Sequence, residues 1–207
     1  MLYIFENIDL LEDSFAESIK RLLSYERITK IQRLKSPQSK NASTVVYLLL
    51  RLALQDMYSI NETVEFNFLD KGKPVLRDYP DIHFNLSHSY NLSACAIADA
   101  PVGVDVQKIK KISDKAARRV LTDEEFIKLT ASDTPEEYFT EIWAIKESFL
   151  KRSGQGIATE LRDVSAESIK EIITFRAENY FCSVCGPFIQ EIQIKHIRRE
   201  DFEQLSN

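Results

Sequence analysis

Between Ser39 and Tyr58 the apolar side chains Val45, Val46, Leu48, Leu49, Leu50, Leu52, Ala53, Leu54 and Met57 cover almost the whole circumference of a helix rather than one stripe. A helix apolar on all sides is central to its domain. Arg51 interrupts the run, which is also shorter than the roughly 20 apolar residues of a bilayer span, so no membrane span is expected. The chain has 207 residues, enough for one large domain or two small ones, and its 44% hydrophobic and 29% charged residues suit a packed core. Met1 to Glu6 lack a basic stretch followed by an apolar run, so no signal peptide is read and a cytoplasmic location is expected.

The rest of the chain divides around that helix. Leu2 to Phe5 alternates as a strand, and Leu10 to Tyr25 carries Phe15, Ile19, Leu22 and Leu23 at helical intervals. Val64, Phe66 and Phe68 alternate with polar residues, and the turn Lys71-Gly72-Lys73-Pro74 follows. Two short strands, Ile82 to Leu86 and Leu92 to Ala98, are expected across a turn at Ser87 to Asn91, with a third extended run from Val102 to Gln107. Beyond Pro101 the character shifts from strand to helix, which places a boundary between residues 1–101 and 102–207. Thr122 with Glu125, and Thr134 with Pro135 and Glu137, have capping-box spacing; the second pair launches a helix expected to reach about Arg152 and stop before Ser153-Gly154-Gln155-Gly156. Glu171 to Arg176, Tyr180 to Cys185 and Phe188 to Lys195 read as strands. Each half thus closes with an antiparallel hairpin behind a helix, the pattern of an α+β chain with an internal duplication. Cys182 and Cys185 have metal-ligand spacing, but without a second pair they read as strand core, and three cysteines suit a reducing compartment.

The net charge of −5 argues against nucleic acid as a partner. Local charge tells more. Residues 21–40 carry six basic side chains against Glu26, and residues 108–119 carry six against Asp114. Two such segments in an acidic protein fit an anionic ligand or an acidic partner surface, and solvated helices give the same count.

Three residues stand out for chemistry. Trp143, Glu147 and Lys151, spaced i, i+4, i+8, share one helical face, while Ile142, Ile145 and Phe149 form an apolar one. By itself the Glu147–Lys151 pair is also what a solvated helix presents. Asp105 is a carboxylate among apolar β-formers and requires a cation, a metal or a capping role at a strand end. Gln107, two residues on, offers a neutral oxygen on the same side of the strand. Two carboxylates, an amide oxygen and water match the oxygen donors preferred by Mg²⁺, which is commonly shared with substrate phosphates. Ser87 and His88 lie in a segment rich in hydroxyls and donors, a lining suited to phosphate oxygens.

Taken together, Gly72-Lys73-Pro74, Phe84 to Ser89, Val102-Gly103-Val104-Asp105 and Trp143 to Lys151 with Gly154 and Gly156, in this order and spacing, resemble the Sfp-type 4'-phosphopantetheinyl transferases. The resemblance implies a monomer of two similar α/β halves related by a pseudo-twofold, each with an antiparallel sheet on a long helix, and a cleft between them for coenzyme A and Mg²⁺. It implies transfer of the 4'-phosphopantetheine arm to a serine of an acyl or peptidyl carrier protein, with release of 3',5'-adenosine bisphosphate. Asp105 and Glu147, with Gln107 beside them, would hold the metal. Glu147 would serve as base, and Lys151 would meet the phosphate under attack. Ser87 and His88 would bind coenzyme A phosphates, Lys73 and Pro74 would lie against the adenine, and Lys146 would support the phosphate site. Where family members place an arginine for the 3'-phosphate, this chain offers Lys40 and Lys30. Gln107 stands where many members carry an acid, from which weaker Mg²⁺ binding or tolerance of another divalent ion is expected. The basic segment Lys108 to Arg119, with Ile109 and Ile112, is expected to dock the acidic carrier. Rival expectations are a Mg²⁺-dependent phosphohydrolase on the same carboxylates, and a non-catalytic module that binds coenzyme A or an acidic protein.

Overall fold

The computed structural model describes residues 1–154, 160–187 and 192–205. Its long central helix starts where Ser36 accepts a hydrogen bond from the Ser39 N–H and Pro37 takes the first helical position, where a missing donor is tolerated. This helix, α3, spans Pro37–Tyr58 after the shorter α1 (Phe15–Ser18) and α2 (Tyr25–Gln32). Every residue from Asn41 to Leu54 is buried. Arg51 is 1% exposed, and its guanidinium donates to the Leu22 and Asn61 carbonyls, which makes the one charge in the run tolerable.

The strands are β1 (Leu2–Phe5), β2 (Phe66–Phe68), β3 (Pro74–Leu76), β4 (His83–Ser89), β5 (Leu92–Ala98), β6 (Gly103–Lys108), β7 (Ile172–Ala177), β8 (Tyr180–Cys185) and β9 (Ile194–Ile197). The remaining helices are α4 (Asp114–Val120), α5 (Asp123–Thr130) and α6 (Pro135–Ser153). One sheet has the order β4-β5-β1-β9 and another β6-β8-β7, while β2 and β3 form a separate hairpin. Alternation sorts the side chains. In the first sheet Tyr3, Phe5, Cys95 and Ile97 face the core around α3, whereas Leu2, Ile4, Ala94 and Ala96 meet Val104, Val106, Cys182 and Val184 of the second sheet. On the far side of the second sheet lies α6, so the layers run helix, sheet, sheet, helix.

Several local expectations are corrected. Leu10 to Tyr25 is not one helix: the Ser18 hydroxyl donates to Phe15 O, α1 ends after four residues, and Ser24 starts α2 by capping Arg27 N–H. The strand expected to end at Leu86 continues through His88 to Ser89, and the turn shrinks to Tyr90-Asn91. The Thr122–Glu125 capping box forms, whereas Thr134 makes no side-chain cap and Glu137 pairs with Arg176 instead. The last strand begins at Ile194 and lies parallel to β1, so that Ile197, Phe202 and Leu205 join the core around α3; Phe188 to Glu191 of the expected strand lie outside the described residues. Cys182 and Cys185 are buried and free.

Among the described residues no helix is long and apolar enough to cross a membrane. The two sheets meet along an unusual edge. Among the described residues the outward N–H groups of β6 have no partner strand; Val104, Val106 and Lys108 donate instead to Asn85 Oδ1, Ser87 Oγ and Ser89 Oγ at 3.0, 3.2 and 3.1 Å. Short polar side chains at every second position of β4 thereby stand in for a neighbouring backbone.

Candidate active site

Gly103 sets how closely α6 crosses β6. A Cβ there would lie 2.0 Å from Ser148 O and 2.5 Å from Arg152 N, both backbone atoms of α6. The missing side chain lets the helix press onto the strand, and Asp105, two residues on, points at the same helix. Asp105 is 3% exposed. Its Oδ1 accepts from Lys151 Nζ at 2.5 Å and Ser87 Oγ at 3.0 Å, and its Oδ2 accepts from Gln107 Nε2 at 2.8 Å. Lys151 also donates to Ser87 Oγ at 3.0 Å and Val104 O at 3.2 Å. The buried carboxylate therefore has its cation, supplied across the interface between helix and strand and braced by a serine of the other half.

Glu147 lies one turn before Lys151. Burial first, and the Asp105 carboxylate second, push its pKa above the ordinary carboxylate range, with Lys151 and the nearby Trp143 opposing. The Trp143 ring packs edge-on against Phe139 with centroids 5.3 Å apart. Trp143, Glu147, Leu150 and Lys151 line one side of a cleft of about 870 Å³, and Lys73, Pro74, Asn85 and Leu86 line the other. The helical face read from spacing is thus the face on the cleft.

Lys73 reaches across the cleft: its Nζ donates to Arg152 O at 2.7 Å, near the C-terminus of α6. Gly154, with φ of 67°, ends that helix in the left-handed conformation, and a Cβ there would meet Lys73 Cδ at 3.1 Å. Burial, then Arg152, hold the Lys73 pKa down. Gly156, part of the same sequence pattern, lies outside the described residues.

His88 is on the opposite face of β4 from Ser87. His88 is exposed, yet crowding by protein first, and the positive charges of Lys151, Arg27 and Lys30 next, hold its pKa below the usual imidazole value. Arg27 went unremarked in the sequence except as part of a basic run. It is 6% exposed, lies over the Tyr47 ring, donates to Ser43 O at 2.5 Å, and burial lowers its pKa to about 10. Burial and Arg27 lower Lys30 as well. Arg27 and Lys30 are thus positive charges beside an imidazole they help keep neutral, while Lys40 belongs to the first turn of α3.

Lys146 departs from the expectation. It is fully buried, and its Nζ donates to Val120 O, Glu125 Oε2 and Leu161 O at 2.7, 2.5 and 3.2 Å. An ammonium has three protons to give, and all are engaged here. Asn85 was also missed: its Oδ1 holds Val104 N–H beside the cleft, and the sequence signal was the alternation Asn85, Ser87, Ser89.

The donor set can be tested against a metal ion. Among the described residues no group of three or more His, Cys, Asp or Glu is arranged to hold one. Asp105 and Glu147 are nevertheless close enough for one carboxylate to raise the pKa of the other, so a second cation beside Lys151 would be favoured. Two carboxylates could offer oxygens to a hard divalent ion that takes its remaining oxygens from water and phosphate rather than from a protein cage.

Comparisons with known proteins add a separate line of observation. Residues 101–200 match the model of the 4'-phosphopantetheinyl transferase superfamily. The chain is 32% identical over 152 residues to the 4'-phosphopantetheinyl transferase Sfp of Bacillus subtilis (strain 168), spanning 72% of this chain and 68% of that one. It is 33% identical over 153 residues to the 4'-phosphopantetheinyl transferase psf-1 of Bacillus pumilus, spanning 72% and 66%. Among solved structures, the holo-[acyl-carrier-protein] synthase of Neisseria meningitidis aligns with 41% of this chain and 94% of its own at a TM-score of 0.35 and 20% identity.

Proposed function

The chain belongs to the 4'-phosphopantetheinyl transferase family, and from that premise we propose that it transfers the 4'-phosphopantetheine group of coenzyme A to a serine of an acyl or peptidyl carrier protein, releasing 3',5'-adenosine bisphosphate. The observation that carries the proposal is that Lys151, which lines the cleft together with Glu147, is held there by the buried Asp105 carboxylate of the second half and by Ser87 of the first. Both walls come from one chain, which supports a monomer as the working unit.

Such a transfer depends on positioning and on neutralising charge at phosphorus. The serine oxygen of the carrier bonds to the phosphorus that bears the pantetheine arm as the bond to the bridging oxygen breaks, and the departing adenosine bisphosphate keeps that electron pair. Lys151, already on Asp105, places an ammonium where the leaving oxygen gains charge. Glu147 accepts the serine proton, and its raised pKa makes it a stronger base once ionised. Asp105 and Glu147 would hold Mg²⁺, which when bound supplies Lewis-acid neutralisation of the phosphate oxygens. Gln107 turns its amide nitrogen to Asp105, leaving its oxygen as a neutral donor and predicting a weaker metal site than three carboxylates would give. Pro74 and Lys73 flank the adenine, and Lys30 and Arg27 present positive charge to a terminal phosphate, with His88 beside them as a neutral hydrogen-bonding imidazole. Exposed Lys110, Lys111, Lys115, Arg118 and Arg119 dock an acidic carrier.

Release of adenosine bisphosphate, measured chromatographically with and without apo carrier in the presence of Mg²⁺, separates the rival activities. The proposal requires carrier-dependent release, one equivalent per carrier. Release without carrier would indicate a phosphohydrolase, and no release despite coenzyme A binding would indicate a binding module.

A further inference from the structure

Lys146 is a buried lysine of α6 whose own side chain does not line the cleft. The Glu125 carboxylate opposite it is equally engaged: Oε2 accepts from Thr122 N–H at 2.8 Å as well as from Lys146, and Oε1 accepts from Ala166 N–H at 2.8 Å. The pair is 0% and 4% exposed. It joins the end of α4, the start of α5, the middle of α6 and the segment 161–166. Two acceptors of Lys146, Val120 and Leu161, also line the cleft, together with their neighbours Arg119, Glu160 and Arg162.

We infer that Lys146 is a positioning residue: by donating to the Val120 and Leu161 carbonyls at once, it sets the spacing of the two backbone segments that form the outer wall of the cleft and so shapes the surface against which coenzyme A lies. The inference rests on the proposed function for the identity of the ligand, and on geometry for the rest. The 160–166 segment has only short 3₁₀ turns of its own, Leu161–Asp163 and Ala166–Ser168, so its place depends on contacts such as these. An ammonium suits the task because its three donors are compact and can meet oxygens from three elements.

A purely structural ion pair would make a different prediction. Lys146→Met leaves Glu125 buried and unpaired and lowers the melting temperature. Glu125→Gln/Lys146→Met removes both charges while glutamine retains an acceptor for the capping box, so stability recovers toward that of the parent. With both assayed well below their melting temperatures, KM for coenzyme A rises about tenfold in each, and kcat changes by less than about threefold. A KM that returns to the parent value in the double variant overturns the inference. Hydrogen exchange on the unaltered chain provides a test free of folding defects: the Ala166 amide is expected to be protected nearly as well as the centre of α6, and exchange at the rate of a free loop would contradict it. If the unaltered chain transferred nothing to any carrier, the proposed function would fail while the exchange measurement still judged the anchor.

Discussion

A methyl group at position 103 has nowhere to go, because the backbone of α6 occupies its place. Gly103→Ala is expected to cost about 3 kcal/mol or more in urea unfolding, since relief requires helix and strand to separate; a cost under about 1 kcal/mol would show that the contact is loose. Lys151→Met removes the cation from Asp105 and from the developing charge together, and kcat is expected to fall about 10² to 10³-fold in a carrier-loading assay. Asp105, Glu147 and Lys151 were legible in the sequence: a carboxylate among β-formers asks for a partner, and i, i+4 spacing fixes a shared face. Lys146 was not. Its partner Glu125 is 21 residues upstream and two of its acceptors are carbonyls, so neither leaves a mark in helical periodicity.

At the scale of elements, the seam between β4 and β6 distinguishes this chain from two sheets that simply stack. Asn85→Ala would leave the buried Val104 N–H without an acceptor, for an expected loss of about 1 to 3 kcal/mol by chemical denaturation. The sequence showed strand on both sides of Ser87 but ended the first too early, because Asn and Ser are turn-formers in isolation and their role as acceptors for another strand depends on tertiary structure. The basic segment around α4 was legible from charge alone, and Lys111 and Lys115 are exposed. Reversing both charges is expected to raise KM for an acidic carrier about tenfold or more at low salt and to flatten its salt dependence, with coenzyme A binding unchanged. An unaltered KM for carrier would move docking elsewhere.

For the molecule as a whole, layers of helix, sheet, sheet and helix place the cleft where the halves meet. The buried helix was legible as an apolar circumference. The return of β9 to pair with β1 was not, since four partly polar residues carry no record of which sheet they join. Stability should also report the buried ion pair. Burial alone would raise the Glu125 pKa, but Lys146 and the Ala166 and Thr122 amides more than offset it, and the carboxyl titrates below its ordinary value. At Lys146 the balance is reversed, and burial outweighs pairing to lower its pKa. Glu125 therefore contributes stability above the unfolded carboxyl pKa of about 4.3 and loses it as pH falls through the lower folded value. Glu125→Gln should be less stable at neutral pH and show a shallower decline below about pH 4.3, measured by denaturation across pH. The most direct test of the account is the intact mass of an apo carrier protein after incubation with this chain, coenzyme A and Mg²⁺. The account predicts one added phosphopantetheine group, located on a serine, with the unaltered chain and almost none with Asp105→Ala; a carrier of unchanged mass with the unaltered chain, or full loading by the Asp105→Ala variant, would contradict it.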